Sequence, residues 1–240
     1  MEYAYLQLRR FDEARAVRDR VPALAAVYDP NVVRGAAPGS AGMFAIAAIP
    51  ARYALERGAW AEAVALTPKA SDYPQSEAMT YFARAIGAAR LKQTSVARES
   101  VDSLAVLGQR LATRNEKYWT EQVAIQWLGA QAWLHLAEGK ASDALAHMRE
   151  AATREDAMEK DAVTPGQLAP ARELLGDMLM ELRRPREALV EYRTTLAKEP
   201  NRYRALDGAR RAALGGGEKQ ESAKYADELA RLTAVEPPRP

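Results

Sequence analysis

Two side chains in the sequence can serve as imidazole ligands or bases, His135 and His147, and both fall in stretches with helical apolar spacing. With Asp143 or Glu150 beside them, they have the donor types for a divalent metal if two helices bring them together. No HExxH or HxH spacing accompanies them, and a catalytic metal usually takes three protein ligands, so packing or surface roles are expected and no metal residue is assigned. Glu155, Asp156, Glu159 and Asp161 form an acidic cluster. Near a helix C-terminus each carboxylate opposes the macrodipole at a cost of about 0.3–1 kcal/mol. Arg154, Lys160 or a partner's basic group can offset that cost, and a solvated face is the plain reading. Hydrolysis by paired carboxylates would also need a cleft and a raised pKa. The chain has no cysteine, which removes thiolate nucleophiles, disulfides and cysteine metal sites. It also lacks a nucleophile elbow, a P-loop and a dinucleotide fingerprint. No catalytic residue and no cofactor are therefore assigned, and a noncatalytic role is expected. Tyr118, Trp119, Trp127 and Trp133 make an aromatic stripe at helical spacing, which fills a core or, facing a groove, anchors a peptide.

These residues have to be positioned by helices. Nearly half the chain is apolar, and Ala, Leu, Glu and Arg are prominent, the composition of an all-α protein with ample core material. The formal charge of +2 comes from interleaved acids and bases, so no field points to nucleic acid or an anionic membrane. The longest apolar stretch, residues 41–51, is too short to span a bilayer, and the opening MEYAYLQLRRFDEA lacks the order of a signal peptide. The expected location is cytoplasmic by default, and periplasmic or secreted if a longer precursor exists.

Residues 175–200, LGDMLMELRRPREALVEYRTTLAKEP, organise the rest. Leu175, Gly176, Leu179, Ala188, Tyr192 and Pro200 stand at the offsets of a tetratricopeptide repeat (TPR), a helix pair of about 34 residues. Gly176 and Ala188 are small where two antiparallel helices cross, Leu175, Leu179 and Tyr192 fill the space beside them, and Pro200 ends the pair. One pair cannot bury its own apolar face, so others must stack on it. Six follow from the pattern: residues 1–27, 43–66, 75–113, 115–160, 169–200 and 202–232, with 233–240 as a flexible tail. The small position of each second helix falls at Ala63, Ala97, Ala144, Ala188 and Ser222; the first and last of these intervals equal the repeat period, and the middle ones are stretched. Pro22 interrupts the second helix of the first pair, residues 28–42 are a Pro/Gly-rich connection, Pro50 marks a turn or kink, and the glycines at 215–217 separate the last two helices. The first pair lacks most of its first helix. Met1 is therefore expected to lie inside a longer array, and the exposed N-terminal repeat face is expected to support self-association.

Several stretches resemble a family of uncharacterised bacterial tetratricopeptide-repeat proteins: YAYLQL at 3–8, IPARYALERG at 49–58, EAMTYFARAIGAAR at 77–90, YWTEQV at 118–123, REDAMEKDAVTPG at 154–166, PARELLGDML at 170–179 and EPNRYRAL at 199–206. The chain is similar to the C-terminal portion of such proteins, whose additional upstream pairs include a histidine-containing segment. At Asp161-Ala162 it departs from a His-Pro pair of the family pattern. The resemblance implies a right-handed α-solenoid, residues 1–240 forming one irregular stack in which the first helix of each pair lines a concave groove. Counted in that frame, the groove-facing residues are Arg52, Leu55, Glu56, Phe82, Arg90, Trp133, Glu173, Asp177, Arg204 and Arg211. Their mixed charge differs from an all-basic clamp for a C-terminal carboxylate. The expected function is a protein–protein interaction scaffold that binds a peptide or a partner's helix. The alternative is the C-terminal part of a larger enzyme or regulator whose active site needs upstream repeats.

Overall fold

The computed structural model describes residues 1–32, 38–158 and 167–234. All regular structure among them is α-helical: α1 (Glu2–Gln7), α2 (Phe11–Asp19), α3 (Val21–Val27), α4 (Ser40–Arg57), α5 (Trp60–Ala65), α6 (Pro74–Arg90), α7 (Thr94–Thr113), α8 (Lys117–Ala137), α9 (Ala141–Ala157), α10 (Ala171–Glu181), α11 (Pro185–Lys198), α12 (Tyr203–Gly216) and α13 (Lys219–Thr233). None of these helices is long and apolar enough to cross a membrane.

One local motif recurs through the chain. A residue in the left-handed region joins α1 to α2 (Arg9), α4 to α5 (Gly58), α6 to α7 (Lys92), α8 to α9 (Gly139), α10 to α11 (Arg183) and α12 to α13 (Gly217). At each, the next amide donates back across the turn: Arg10 to Tyr5, Ala59 to Ala54, Gln93 to Ala88, Lys140 to His135, Arg184 to Leu179 and Glu218 to Ala213, all at 2.8–2.9 Å. This is a Schellman closure, which satisfies carbonyls that the helix end leaves without partners. Five residues after each left-handed position comes a small residue of the second helix: Ala14, Ala63, Ala97, Ala144, Ala188 and Ser222. The five alanines have no exposed surface, and the Ser222 hydroxyl donates to the Arg210 carbonyl at 3.0 Å. The chain thus repeats a helix, a left-handed turn and a second helix that approaches closely at a small side chain.

The described residues fall into two compact units, and the division lies inside α2, after Arg15. In residues 16–169 the helices pack largely in chain order: α3 on α4, α4 on α5 and α6, α5 on α6, α6 on α7 and α8, α7 on α8, and α8 on α9. The first helices of successive pairs, α4, α6 and α8, thereby touch one another. Pro22 opens α3, one residue after the break that separates α3 from α2, as its missing amide requires. Pro50 lies within α4, which continues past it and reaches back to Ser40; because Pro50 has no N–H, the Ile46 carbonyl lacks its donor four residues on.

The other unit joins residues 1–15 to the chain from Pro170 onward. Here α10 packs on α11 and α12, α11 on α12, and α12 on α13. Tyr192 of α11 lies against both first helices: a Cβ at Gly176 would come 2.8 Å from its ring, and one at Gly208 would overlap it. Glycine is the residue that allows this approach. Gly215 and Gly216 belong to α12, and only Gly217 forms the turn. The N-terminal helix is held here as well, because the Tyr203 amide donates to Gln7 Oε1 at 2.8 Å and the Arg9 guanidinium stacks 4.6 Å from the Tyr203 ring. Leu6 and Ala14 of the first pair are buried.

Candidate functional site

In the unit that contains the C-terminal helices, four of the predicted groove residues belong to one charged cluster on successive first helices, α10 and α12. Glu173 is 0% exposed and Arg202, which precedes α12, is 1% exposed. Arg202 donates to both Glu173 oxygens, through Nε at 2.6 Å and Nη2 at 3.1 Å. Arg204 reaches Glu173 Oε1 at 3.1 Å and is paired with Asp177 as well. Two charges can stay buried at this density only because the fork of donors meets the carboxylate bidentately. Asp177 also accepts from the Tyr192 hydroxyl at 2.6 Å. Burial, followed by Asp177, pushes the Tyr192 phenol far above its ordinary pKa, with Arg211 pulling the other way. Toward solvent, Asp207 accepts from Arg210 at 2.8 Å and from Arg211 at 3.0 Å. Two guanidinium groups therefore share one carboxylate, and Arg211, whose side chain is 46% exposed, presents the surplus positive charge.

The six predicted residues of residues 16–169 take other roles. Leu55, Glu56, Phe82 and Trp133 are buried, so each belongs to the packing between helices. Phe82 fills the space over Gly129, whose added Cβ would lie 3.4 Å from its ring. Arg90 is layered between two indoles, 4.8 Å from Trp60 and 4.6 Å from Trp133. Such a cation between aromatic faces joins α5, α6 and α8. Arg52 donates to the Gln167 carbonyl at 3.4 Å. Of the aromatic stripe, Trp133 is interior, while Trp119 meets Phe44 at 5.9 Å and Tyr118 at 5.1 Å between ring centroids.

The two histidines do meet across α8 and α9, with ring centroids 4.9 Å apart in an edge-to-face arrangement. Gln131 lies 2.8 Å from His135 Nε2, and the His147 ring donates through Nδ1 to the Asp143 carbonyl at 2.9 Å. Burial and then His147 hold the His135 pKa below its ordinary value. Among the described residues, no three His, Asp or Glu side chains are placed to hold one metal ion. Of the acidic cluster, Glu155 and Asp156 lie in the last turn of α9, and Glu159 and Asp161 lie outside the described residues, as do Pro165-Gly166 and the end of the tail. Arg154 is committed to Glu121 of α8 by two bonds of 2.6–2.7 Å.

A cleft of about 710 Å³ opens between α3, α4, α6 and residues 66–71. Met43, Ile46, Ala47 and Pro50 supply one wall, at the intervals that put them on one face of α4. Opposite stand Val21, Pro22 and Ala25 of α3, and the first turns of α6 contribute Ser76, Glu77 and Thr80. Glu77 ties the link to the helix, since its Oε1 accepts from the Ser71 amide at 2.7 Å and from Arg110 at 3.2 Å. This cleft is missed by the repeat frame. It depends on α4 continuing through Pro50, and proline within an apolar run reads as a break. The signal that could have found it is the apolar spacing 43, 46, 47 and 50 itself.

No protein-family model matches the chain, and no curated protein matches it in sequence.

Proposed function

We propose that this chain is a noncatalytic interaction scaffold, a right-handed α-solenoid of TPR-like pairs that binds a peptide or a partner's helix along its first helices. The similarity to uncharacterised bacterial tetratricopeptide-repeat proteins, the six equivalent turns and the contact between successive first helices support the architecture. The observation that carries the binding reading is the cluster on α10 and α12. Asp177, Arg204 and Arg211 come from successive first helices and lie together at a partly exposed edge. Helices fix their backbone, and the paired carboxylates fix Arg204, so little side-chain entropy remains to be lost on binding. Arg211 is the anchor: a carboxylate on the partner would replace its share of Asp207 and form a charge-assisted bond. The partner is thus a protein segment with an acidic side chain, and the expected setting is the cytoplasm.

Affinity capture from a lysate of the source cells tests this reading. The intact protein should retain a discrete partner, Arg211→Glu should lose it, and Arg231→Glu on α13 should retain it, with all three melting alike. Equal capture by the two charge reversals would remove the first-helix face from the interaction.

A further inference from the structure

We propose that the cleft between α3, α4 and α6 is a separate binding site for a small amphiphile, an apolar tail ended by a carboxylate. Its volume of about 710 Å³ lies within the range of sites for small molecules, roughly 300–1,000 Å³. Met43, Ile46, Pro50, Val21 and Leu66 give it apolar walls, and the unbranched Met43 adapts to tails of different shape.

The lining carries four hydroxyl side chains, of Thr67, Ser71, Ser76 and Thr80, besides its charged residues. Ser76 is 4% exposed, lines the cleft, and its hydroxyl has no hydrogen-bond partner. A buried hydroxyl left unpaired is costly, and a turn of the Ser76 side chain toward the cleft would bring it to an acceptor on a ligand. The charged groups of the lining are Arg18, Asp19, Lys69 and Glu77. Arg18 pairs with Asp19 at 2.6 Å and Glu77 with Arg110 at 3.2 Å. Lys69 is exposed and makes no ion pair among the described residues, which leaves one ammonium without a counter-charge at the rim. The Lys69 ammonium and the lining hydroxyls suit a single carboxylate head. This proposal does not depend on the one made for Arg211.

Calorimetric titration of the full chain with dodecanoate, decanoate, dodecanol and dodecyltrimethylammonium, each below its micelle concentration, tests the proposal. Dodecanoate should bind at one site and more tightly than dodecanol, and dodecyltrimethylammonium should bind weakest. Each methylene removed should weaken binding about fourfold. Lys69→Gln, at an exposed position, should abolish the preference for carboxylate over alcohol while leaving dodecanol bound. Ala47→Phe should narrow the cleft and weaken every ligand by at least about tenfold, with an unchanged circular dichroism spectrum checking that it folds. No saturable dodecanoate binding, equal binding of the anionic and cationic amphiphiles, or an unaltered carboxylate preference in Lys69→Gln would each overturn the assignment. Saturable binding of an apolar helical peptide without dodecanoate binding would overturn it in favour of a protein partner.

Discussion

Glu173 and Arg202 illustrate what a buried charge demands of its neighbours. Each is almost wholly enclosed, and the carboxylate accepts from both Arg202 and Arg204. Glu173→Gln should cost about 3–5 kcal/mol, because it leaves guanidinium groups buried beside a neutral amide. Chemical denaturation measures this, and replacing Glu173 and Arg202 together by Leu and Met should recover most of the loss. His135 makes a different demand. Gln131 donates to its Nε2, Nδ1 is buried without a partner, and burial and then His147 favour the neutral ring. Its folded pKa is therefore below the ordinary 6.5. The unfolded chain takes up the proton first, so the stabilisation is complete above that value and is lost as pH falls through it. Stability measured between pH 7.5 and 5 should decline, and His135→Gln should flatten the part of that decline owed to this ring. At this scale the sequence was informative about size and poor on partners. Gly176 and Ala188 were readable as close-approach positions from repeat offsets. Gly208, which meets the same Tyr192 ring, was not, because the glycine sits in an arginine-rich helix with no offset marking it.

The recurring element is the helix pair with its left-handed turn. Glycine takes that conformation without penalty, whereas Arg9, Lys92 and Arg183 hold φ near +60° with a Cβ present. Arg183→Gly should therefore raise stability by up to about 1 kcal/mol, and Gly217→Ala should lower it by about 1–2 kcal/mol. Thermal and urea unfolding of both variants checks this, and changes of equal sign would contradict a common turn geometry. Half of these turns were legible from Gly58, Gly139 and Gly217. The other half carry long side chains, so composition alone gives no turn signal there, and the small residue five positions on is the marker that all six share. Helix ends near proline were read less well. Pro22 separates α2 from α3 as its chemistry dictates, yet Pro50 is accommodated inside α4, which packs on α3, α5 and α6.

At the scale of the whole molecule, local pairing was visible in the sequence because neighbouring helices pack in chain order. The division into two units was not, since it rests on contacts between residues far apart in sequence, such as Gln7 with Tyr203 and Tyr3 with Arg202. No periodicity encodes such a contact. The predicted groove residues divide the same way: those of residues 16–169 are largely interior, and those on α10 and α12 form the partly exposed charged cluster. The proposed binding therefore falls on the α10–α12 face. Placing a photo-crosslinking side chain at position 211, and in a second variant at exposed Val190 of α11, tests that assignment most directly. After irradiation in source cells and identification of the attached segments by mass spectrometry, position 211 should yield one recurrent segment with an acidic residue at the crosslink, and position 190 should not. The same segments from both positions, or none from position 211, would contradict a scaffold that binds through its first helices.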